Sequence, residues 1–499
     1  MPSNNTSLPV DPPTGFNVVL SRDDRLRAWL PAIFSATAYL TLIGQASSIL
    51  RDSDTYWHIV VGQWIIDRLA VPHVDLFSYT MRGAPWITSA WLSEVLYFAA
   101  FKVAGWTGPV VLAAVSASLA FFLMTLLLLR KLPNLPVAIL VTSGIAMTSF
   151  HTLARPHVLV FPLMVLWTYE LIQASEERRA PSLAYLPLIT LWANLHGSFT
   201  LALALIAPFG FEAVWSTDNT ARMRIAVNWL RFALLAVAAA LITPYGPESI
   251  LVTLRILKLG AALSNIGEWG PLPFGTANAV TISFMAGAAY ILFSGFTLPP
   301  VRIAVLLALI YQTFVHIRYV DVLALAVPFL VAGPLSRHLS WSRLQQSRKV
   351  IPAASRTFIS SAAVLIVATG VIVARMEPMP PRTPRLAVER LKNLKLNRVL
   401  NDYYFCGYLI FQGIPIFIDS RAELYGSAFL TRYIQAISLE DVAGFVKLLD
   451  EYKIDSTLLS PKSLAVGLLD RLPEWERVYA DDIAVVHARK SMIGPVSLK

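Results

Sequence analysis

Charge and cysteine are what this chain has least of. Only 14% of its 499 residues are Asp, Glu, Lys or Arg, too few to coat a water-soluble protein of this length. Its single cysteine, Cys406, excludes both an internal disulfide and a cysteine-based metal site. No Gly-rich phosphate loop is present, and Gly407 and Gly413 read as turn residues. No internal repeat is visible, which weighs against transporter folds built from duplicated halves. The polar, Pro-rich stretch 1–28 lacks the apolar region of a signal peptide. Membrane targeting is therefore expected from a first span that stays in the protein.

What is there is apolar. Hydrophobic residues make up 56% of the chain, in blocks of about 15–22 residues, the length a bilayer-spanning helix needs. The pattern predicts an α-helical polytopic membrane protein with about eleven spans. They fall near 29–48, 107–129, 136–150, 158–173, 183–195, 198–215, 225–242, 277–293, 303–315, 319–331 and 358–373. The shorter ones are expected to be tilted, re-entrant or buried in the bundle.

The formal charge is +10, and the basic residues fall in short loops between these blocks. Arg22, Arg25 and Arg27 precede the first span. Arg130 with Lys131, Arg178 with Arg179, Arg222 with Arg224, then Arg302, then Arg337, Arg343, Arg348 and Lys349 mark alternate span ends. This is the positive-inside pattern; it needs no nucleic acid partner and places the N-terminus in the cytoplasm. The other loops then lie outside and hold Asp52, Asp54, His58, Arg82, Arg155, His157, His196, Glu268, His316 and Arg318 on one face. Ionisable groups near membrane depth are costly and mark function.

Past the last span the composition turns mixed. Short β-like runs at 398–400, 414–419, 456–459 and 483–487 alternate with helical patterns. Val442, Phe445, Val446 and Leu449 recur at helical spacing within 439–452. The expected division is a transmembrane domain 1–375, with a first extracytoplasmic loop about 49–106, and a small extracytoplasmic α/β domain 376–499.

The first loop opens Arg51-Asp52-Ser53-Asp54-Thr55-Tyr56-Trp57-His58 and should continue as a helix to about Arg68. Trp57, Val60, Val61 and Trp64 form an apolar stripe suited to the lipid headgroup region, with His58 away from it. A partly desolvated Asp52 or Asp54 could act as a general base on an acceptor hydroxyl. The same D-x-D pair could hold a divalent cation against a phosphate, or Asp54 could simply cap the helix. Arg155, between His151 and His157, suits a phosphate, or anchors a span end by snorkelling. His196 lies in a tight turn with Gly197; Glu268 and the His316–Arg318 pair are further candidates for binding substrate. A metal site from His58, His157 and His196 has no supporting ligand spacing. Asp419-Ser420-Arg421 follows a predicted strand and reads as a ligand site or a buried salt bridge.

The first loop, Asp52-x-Asp54-Thr55-x-Trp57-His58-x3-Gly62-x-Trp64-Ile65, continues with Pro72-x2-Asp75-x-Phe77-Ser78-x-Thr80-x2-Gly83-x2-Trp86 and Trp91-Leu92-x-Glu94. It resembles the first extracytoplasmic loop of bacterial GT-C-type membrane glycosyltransferases and their relatives. Arg155-Pro156-His157, Trp192-x-Asn194-Leu195-His196-Gly197-Ser198-Phe199, Gly407-Tyr408-Leu409-Ile410 and the run from Pro415 to Gly426 also resemble segments of that family. The resemblance implies a bacterial cytoplasmic-membrane enzyme and a polyprenyl-phosphate sugar donor drawn from the bilayer. It implies inverting transfer to a lipid, glycan or protein acceptor on the outer face, with Asp52 or Asp54 as the acidic residue. Many GT-C enzymes carry an Asp-Glu pair where this chain has Asp-Ser-Asp. The competing expectations are a lipid or glycan flippase, with polar residues on both sides of the bilayer, and a non-catalytic assembly protein.

Overall fold

The computed structural model describes residues 22–260, 267–340, 362, 365–373 and 383–493. Helices occupy every expected segment from 29–48 to 319–331. The expected span 358–373 is described at 362 and 365–373, which are helical, and the expected domain boundary at 376 lies outside the described residues. Among the described residues, four helices are long and apolar enough to cross a membrane: Asp23–Gly44, Thr107–Leu128, Asn219–Ala240 and Ile317–His338. Shorter apolar helices, among them Asn134–Ser149, Ala279–Ser294 and Pro300–Val315, pack beside them. The chain is a membrane protein with a helical body and a small C-terminal sheet.

Local sequence explains the helix ends. Asn278 caps Ala279–Ser294 by accepting from the backbone of Val280 and Thr281, and Gly295, at φ 65°, ends that helix in the left-handed region. Small residues explain the packing. Ala113, Ala114, Ala117 and Ala120 are buried on Thr107–Leu128, so the first helix comes close enough for Ser35 and Ser118 to share a 2.7 Å hydrogen bond.

Arg302 departs from its expected place in an exposed basic loop. It is 2% exposed, and its guanidinium donates to Glu176 at 2.8 Å and Glu212 at 2.9 Å. Lys131 pairs with Glu176 and Ser175 with Glu212. A second ionic network therefore lies at the end of Pro300–Val315 away from His316, so ionisable groups are not confined to one face. Desolvation is what makes such groups pair: a lone buried charge would cost several kcal/mol.

The C-terminal sheet has the order β1-β2-β4-β3, with β1 Val399–Asn401, β2 Ser456–Leu459, β3 Trp475–Ala480 and β4 Val485–Arg489. β1 and β2 are parallel; β2–β4 and β4–β3 are antiparallel. The expected strand at 414–419 is not one. The Asn401 side chain takes a strand's role: its Oδ1 accepts from Phe417 and Ile418 and its Nδ2 donates to the Ile418 carbonyl. Ile416 instead bridges to Ser78 of the first loop. β3 was not anticipated because it alternates poorly, with only Trp475 buried. The helix Val442–Glu451 buries Phe445, Leu448 and Leu449, while Val442 and Val446 are exposed. The expected stripe was therefore rotated.

The first-loop helix Asp54–Arg68 is covered by protein and not by headgroups. Tyr56, Trp57, Val61 and Ile65 share a core with Trp86 and with Ala387, Leu391, Tyr408 and Leu409 of the C-terminal domain. Two glycines permit this. A Cβ on Gly62 would lie 2.0 Å from the Glu94 carbonyl oxygen, and one on Gly407 would lie 1.8 Å from that of Ser53. Gly407 is thus a docking residue inside the helix Cys406–Phe411 and not a turn, whereas Gly413, at φ 73°, is a turn. Gly407→Ala should loosen the C-terminal domain at a cost of roughly 1–3 kcal/mol. Thermal unfolding and limited proteolysis of the detergent-purified protein read this out; a melting temperature and cleavage pattern equal to wild type would refute the docking role.

Candidate functional site

Three separated loops meet at the Arg155 guanidinium. Nη1 lies 2.9 Å from Asp52 Oδ2 and 2.8 Å from Glu268 Oε1; Nη2 lies 2.6 Å from Asp54 Oδ2. The loop carrying Arg155 is held by its backbone. Tyr97 donates to the Arg155 carbonyl at 2.9 Å, Thr55 donates to the Ala154 carbonyl at 3.0 Å, and the Ala154 N–H donates to Ile49 at 3.0 Å. Asp54 is the first residue of its helix, not the cap; Asp52 Oδ1 accepts from the Asp54 N–H at 3.0 Å. The C-terminal domain completes the set. Ser420 Oγ donates to Asp54 Oδ1 at 2.6 Å, and Trp57 Nε1 donates to Ser420 Oγ at 3.2 Å.

One guanidinium cannot neutralise three carboxylates, and burial together with this shortfall sets their proton affinities. Burial, then the charge of Asp54, pushes the Asp52 carboxyl up to about 6 against the pull of Arg155. Burial also raises Asp54. Glu268 goes the other way: burial opposes its ionisation, but Arg155 and Arg318 outweigh it and hold the carboxyl well below the usual range. Asp52 keeps 21% of its side chain accessible and Glu268 23%, while Asp54 has only 5%. Asp52 is thus the accessible carboxylate whose proton affinity lies near neutrality.

The segment holding Glu268 is braced on both sides. Trp269 packs into the C-terminal core with Phe417 and Tyr433. His316 Nδ1 lies 2.7 Å from the Trp269 carbonyl oxygen, and Ile317 N–H donates to Gly270 at 3.0 Å. The Arg318 guanidinium stacks 4.2 Å above the Trp269 ring.

The histidines divide into separate roles. His58 Nδ1 lies 3.2 Å from Glu94 Oε1, which also accepts from Thr88 at 2.6 Å; this fixes the helix Asp54–Arg68 against Trp91–Ala104. His196 Nδ1 accepts from the Ser198 N–H at 3.2 Å, and burial with Arg318 and Arg155 pushes it down to about 3, so it is neutral. His157 faces His151 and Asp321: His151 Nδ1 is 3.2 Å and His157 Nε2 3.7 Å from Asp321 Oδ2. The triad His58, His157 and His196 therefore does not converge on one point. Nor does the D-x-D pair fit a bridging cation, because the Arg155 guanidinium sits where Asp52 and Asp54 meet.

The fold has solved relatives. An archaeal oligosaccharyltransferase, AglB from Archaeoglobus fulgidus in complex with an inhibitory peptide and a dolichol-phosphate, matches with a TM-score of 0.54 at 12% identity. The match covers 86% of this chain and 69% of that one. The Archaeoglobus fulgidus oligosaccharyltransferase in the apo form matches with a TM-score of 0.51 at 11% identity, over 87% and 70% of the two chains. No family model and no curated protein sequence matches the chain. This chain shares the fold of those two oligosaccharyltransferase structures.

On that fold, Asp52, Asp54, Arg155 and Glu268 form one cluster, and Arg318 borders it. His58 and His316 serve as braces, and Arg82 lies outside the cluster's contacts. Sequence reasoning missed Asp321, and it named Ser420 only as the middle of Asp419-Ser420-Arg421, not as a partner of Asp54. Asp321 had a signal, a carboxylate at a span start. Asp419-Ser420-Arg421 proves to be a buried salt bridge: Arg421 Nη2 lies 2.5 Å from Asp419 and 2.7 Å from Asp75, with Trp86 4.6 Å from its guanidinium.

Removing Arg155 leaves three carboxylates facing one another. Arg155→Gln should cost on the order of 3–5 kcal/mol at neutral pH. The sign with pH follows from the carboxyls, whose folded affinities for protons would then all rise above the unfolded values. The deficit should shrink as pH falls toward about 5. Melting temperatures measured across pH test this; a deficit independent of pH would refute the clamp.

Proposed function

We propose that this protein transfers a sugar from a polyprenyl-phosphate donor to an acceptor hydroxyl or amide, with Asp52 as the general base. The observation that carries the reading is Asp52 itself: an accessible carboxylate, raised to about 6, at the centre of a GT-C fold. The acceptor atom attacks the anomeric carbon as its bond to the donor phosphate oxygen breaks. The acceptor proton passes to Asp52, and the polyprenyl phosphate leaves with its oxygen charge developed. Inversion follows from a single displacement.

The other residues take roles by their surroundings. Arg155 is taken up by carboxylates, so the phosphate role passes to Arg318, whose planar cation is held flat on Trp269. Asp54 and Glu268 hold Arg155, and Ser420 holds Asp54. His157 and His196 line the same region as neutral groups. The site face is read as extracytoplasmic, with the N-terminus in the cytoplasm, in a bacterial cytoplasmic membrane with about eleven spans. The dolichol-phosphate and peptide in the AglB complex support a lipid-linked donor, and an acceptor that is protein, glycan or lipid. The flippase alternative needs a polar path on both sides. The second network is closed instead, with Arg302 and Lys131 matched by Glu176 and Glu212.

Purified protein in nanodiscs, given a panel of radiolabelled polyprenyl-phosphate sugars, tests the reading. Asp52→Asn should lower kcat by about 10²-fold or more. Wild-type kcat/KM should rise with pH to a plateau with an apparent pKa of about 6, and Asp52→Asn should lose that limb. Arg318→Ala should raise KM for the donor about tenfold. Undiminished transfer by Asp52→Asn would sink the base assignment, and substrate movement across sealed vesicles without bond cleavage would favour transport.

A further inference from the structure

Next to the carboxylate cluster lies a second group of side chains that proton transfer does not use. His151 and His157 come from the single segment between the helices Asn134–Ser149 and Phe161–Glu176, and Asp321 from the first turn of the helix Val320–His338. Their nearest ligand atoms all lie within 4.8 Å of one another. Asp321 is 3% exposed and His151 7%. Two atoms in this group, His157 Nε2 and Asp321 Oδ1, are buried with no hydrogen-bond partner among the described residues. Buried polar atoms are rarely left so, because each unmade bond costs about 1–3 kcal/mol.

We propose that His151, His157 and Asp321 bind one divalent first-row transition metal, with Zn²⁺ the best match. The ligand set selects this class: two imidazoles and one carboxylate suit zinc, whereas Mg²⁺ and Ca²⁺ prefer oxygen alone. The spacing agrees. Ligand bonds of about 2.0–2.2 Å in a tetrahedron put neighbouring ligand atoms about 3.3–3.6 Å apart. The observed separations from Asp321 Oδ2 are 3.2 Å to His151 Nδ1 and 3.7 Å to His157 Nε2. A cation there satisfies the orphaned imidazole nitrogen and offsets the buried carboxylate. Three protein ligands leave a fourth position for an oxygen ligand, as in zinc sites that keep an open position. The site is distinct from the D-x-D pair, between whose carboxylates the Arg155 guanidinium sits. It goes beyond the transfer reading and stands or falls without it.

The test is metal binding. Full-length protein purified in nanodiscs through a tag without histidines, and stripped with a chelator, is titrated with ZnCl₂ by calorimetry and its metal content counted after dialysis. One Zn²⁺ per chain is expected, weakened at least tenfold in Asp321→Asn and His157→Gln. Asp52→Asn and Glu268→Gln should bind within about threefold of wild type. Co²⁺ should give the visible d–d bands of a four-coordinate site in wild type and lose them in His157→Gln. His151→Asn supplies the same comparison if Asp321→Asn does not elute as a folded protein. Absence of stoichiometric Zn²⁺ in wild type overturns the proposal. So does binding that survives loss of Asp321 and His157, or that is lost with Asp52 and Glu268 instead.

Discussion

The site depends on one buried guanidinium held by more negative charge than it can balance. Arg155 draws Asp52, Asp54 and Glu268 to within hydrogen-bonding distance. Arg suits this place because its planar fork reaches several carboxylates at once and keeps its proton when desolvated. The imbalance is what differentiates the three acids. Glu268 has Arg318 as a second cation beside Arg155 and stays ionised, whereas burial, with Asp54 as a neighbour, pushes Asp52 up to about 6.

The C-terminal domain is part of this arrangement and not an appendage. Its segment from Pro415 to Glu423 meets the first loop through one contact after another. Ile416 exchanges backbone hydrogen bonds with Phe77 and Tyr79, Thr80 donates to the Phe417 carbonyl, and Arg421 reaches Asp75. Ser420 then touches Asp54 itself. Two motif blocks far apart in the chain are therefore the two halves of one interface. Their residue types make sense only as pairs: Asp75 with Arg421, Trp86 with Glu423, Gly407 with the Ser53 backbone.

The fold carries ionic networks at both ends of the helical body. The one around Arg302 is closed and charge-balanced, which fits a staple between helices. The one around Arg155 is left short of positive charge, with accessible carboxylate surface. That contrast in balance, more than the presence of charge, separates the functional cluster from the structural one.

Length, apolar blocks and the scarcity of charge determined the membrane class and the position of nearly every helix, because burying a backbone in lipid admits few solutions. Motif chemistry also singled out Asp52, Asp54 and Arg155, with Glu268 as one of several further outer-loop candidates. The sequence did not determine who faces whom. Trp57 and Val61 have the same side chains whether they meet headgroups or protein, and only the docked C-terminal domain decides it. Arg302 looks like any loop arginine until Glu176 and Glu212 enclose it. Arg155 suits a phosphate as well as a carboxylate, and His157 suits several partners. Such choices are settled by atoms hundreds of residues away, brought within 3 Å or so by packing, and a linear pattern carries no record of that distance.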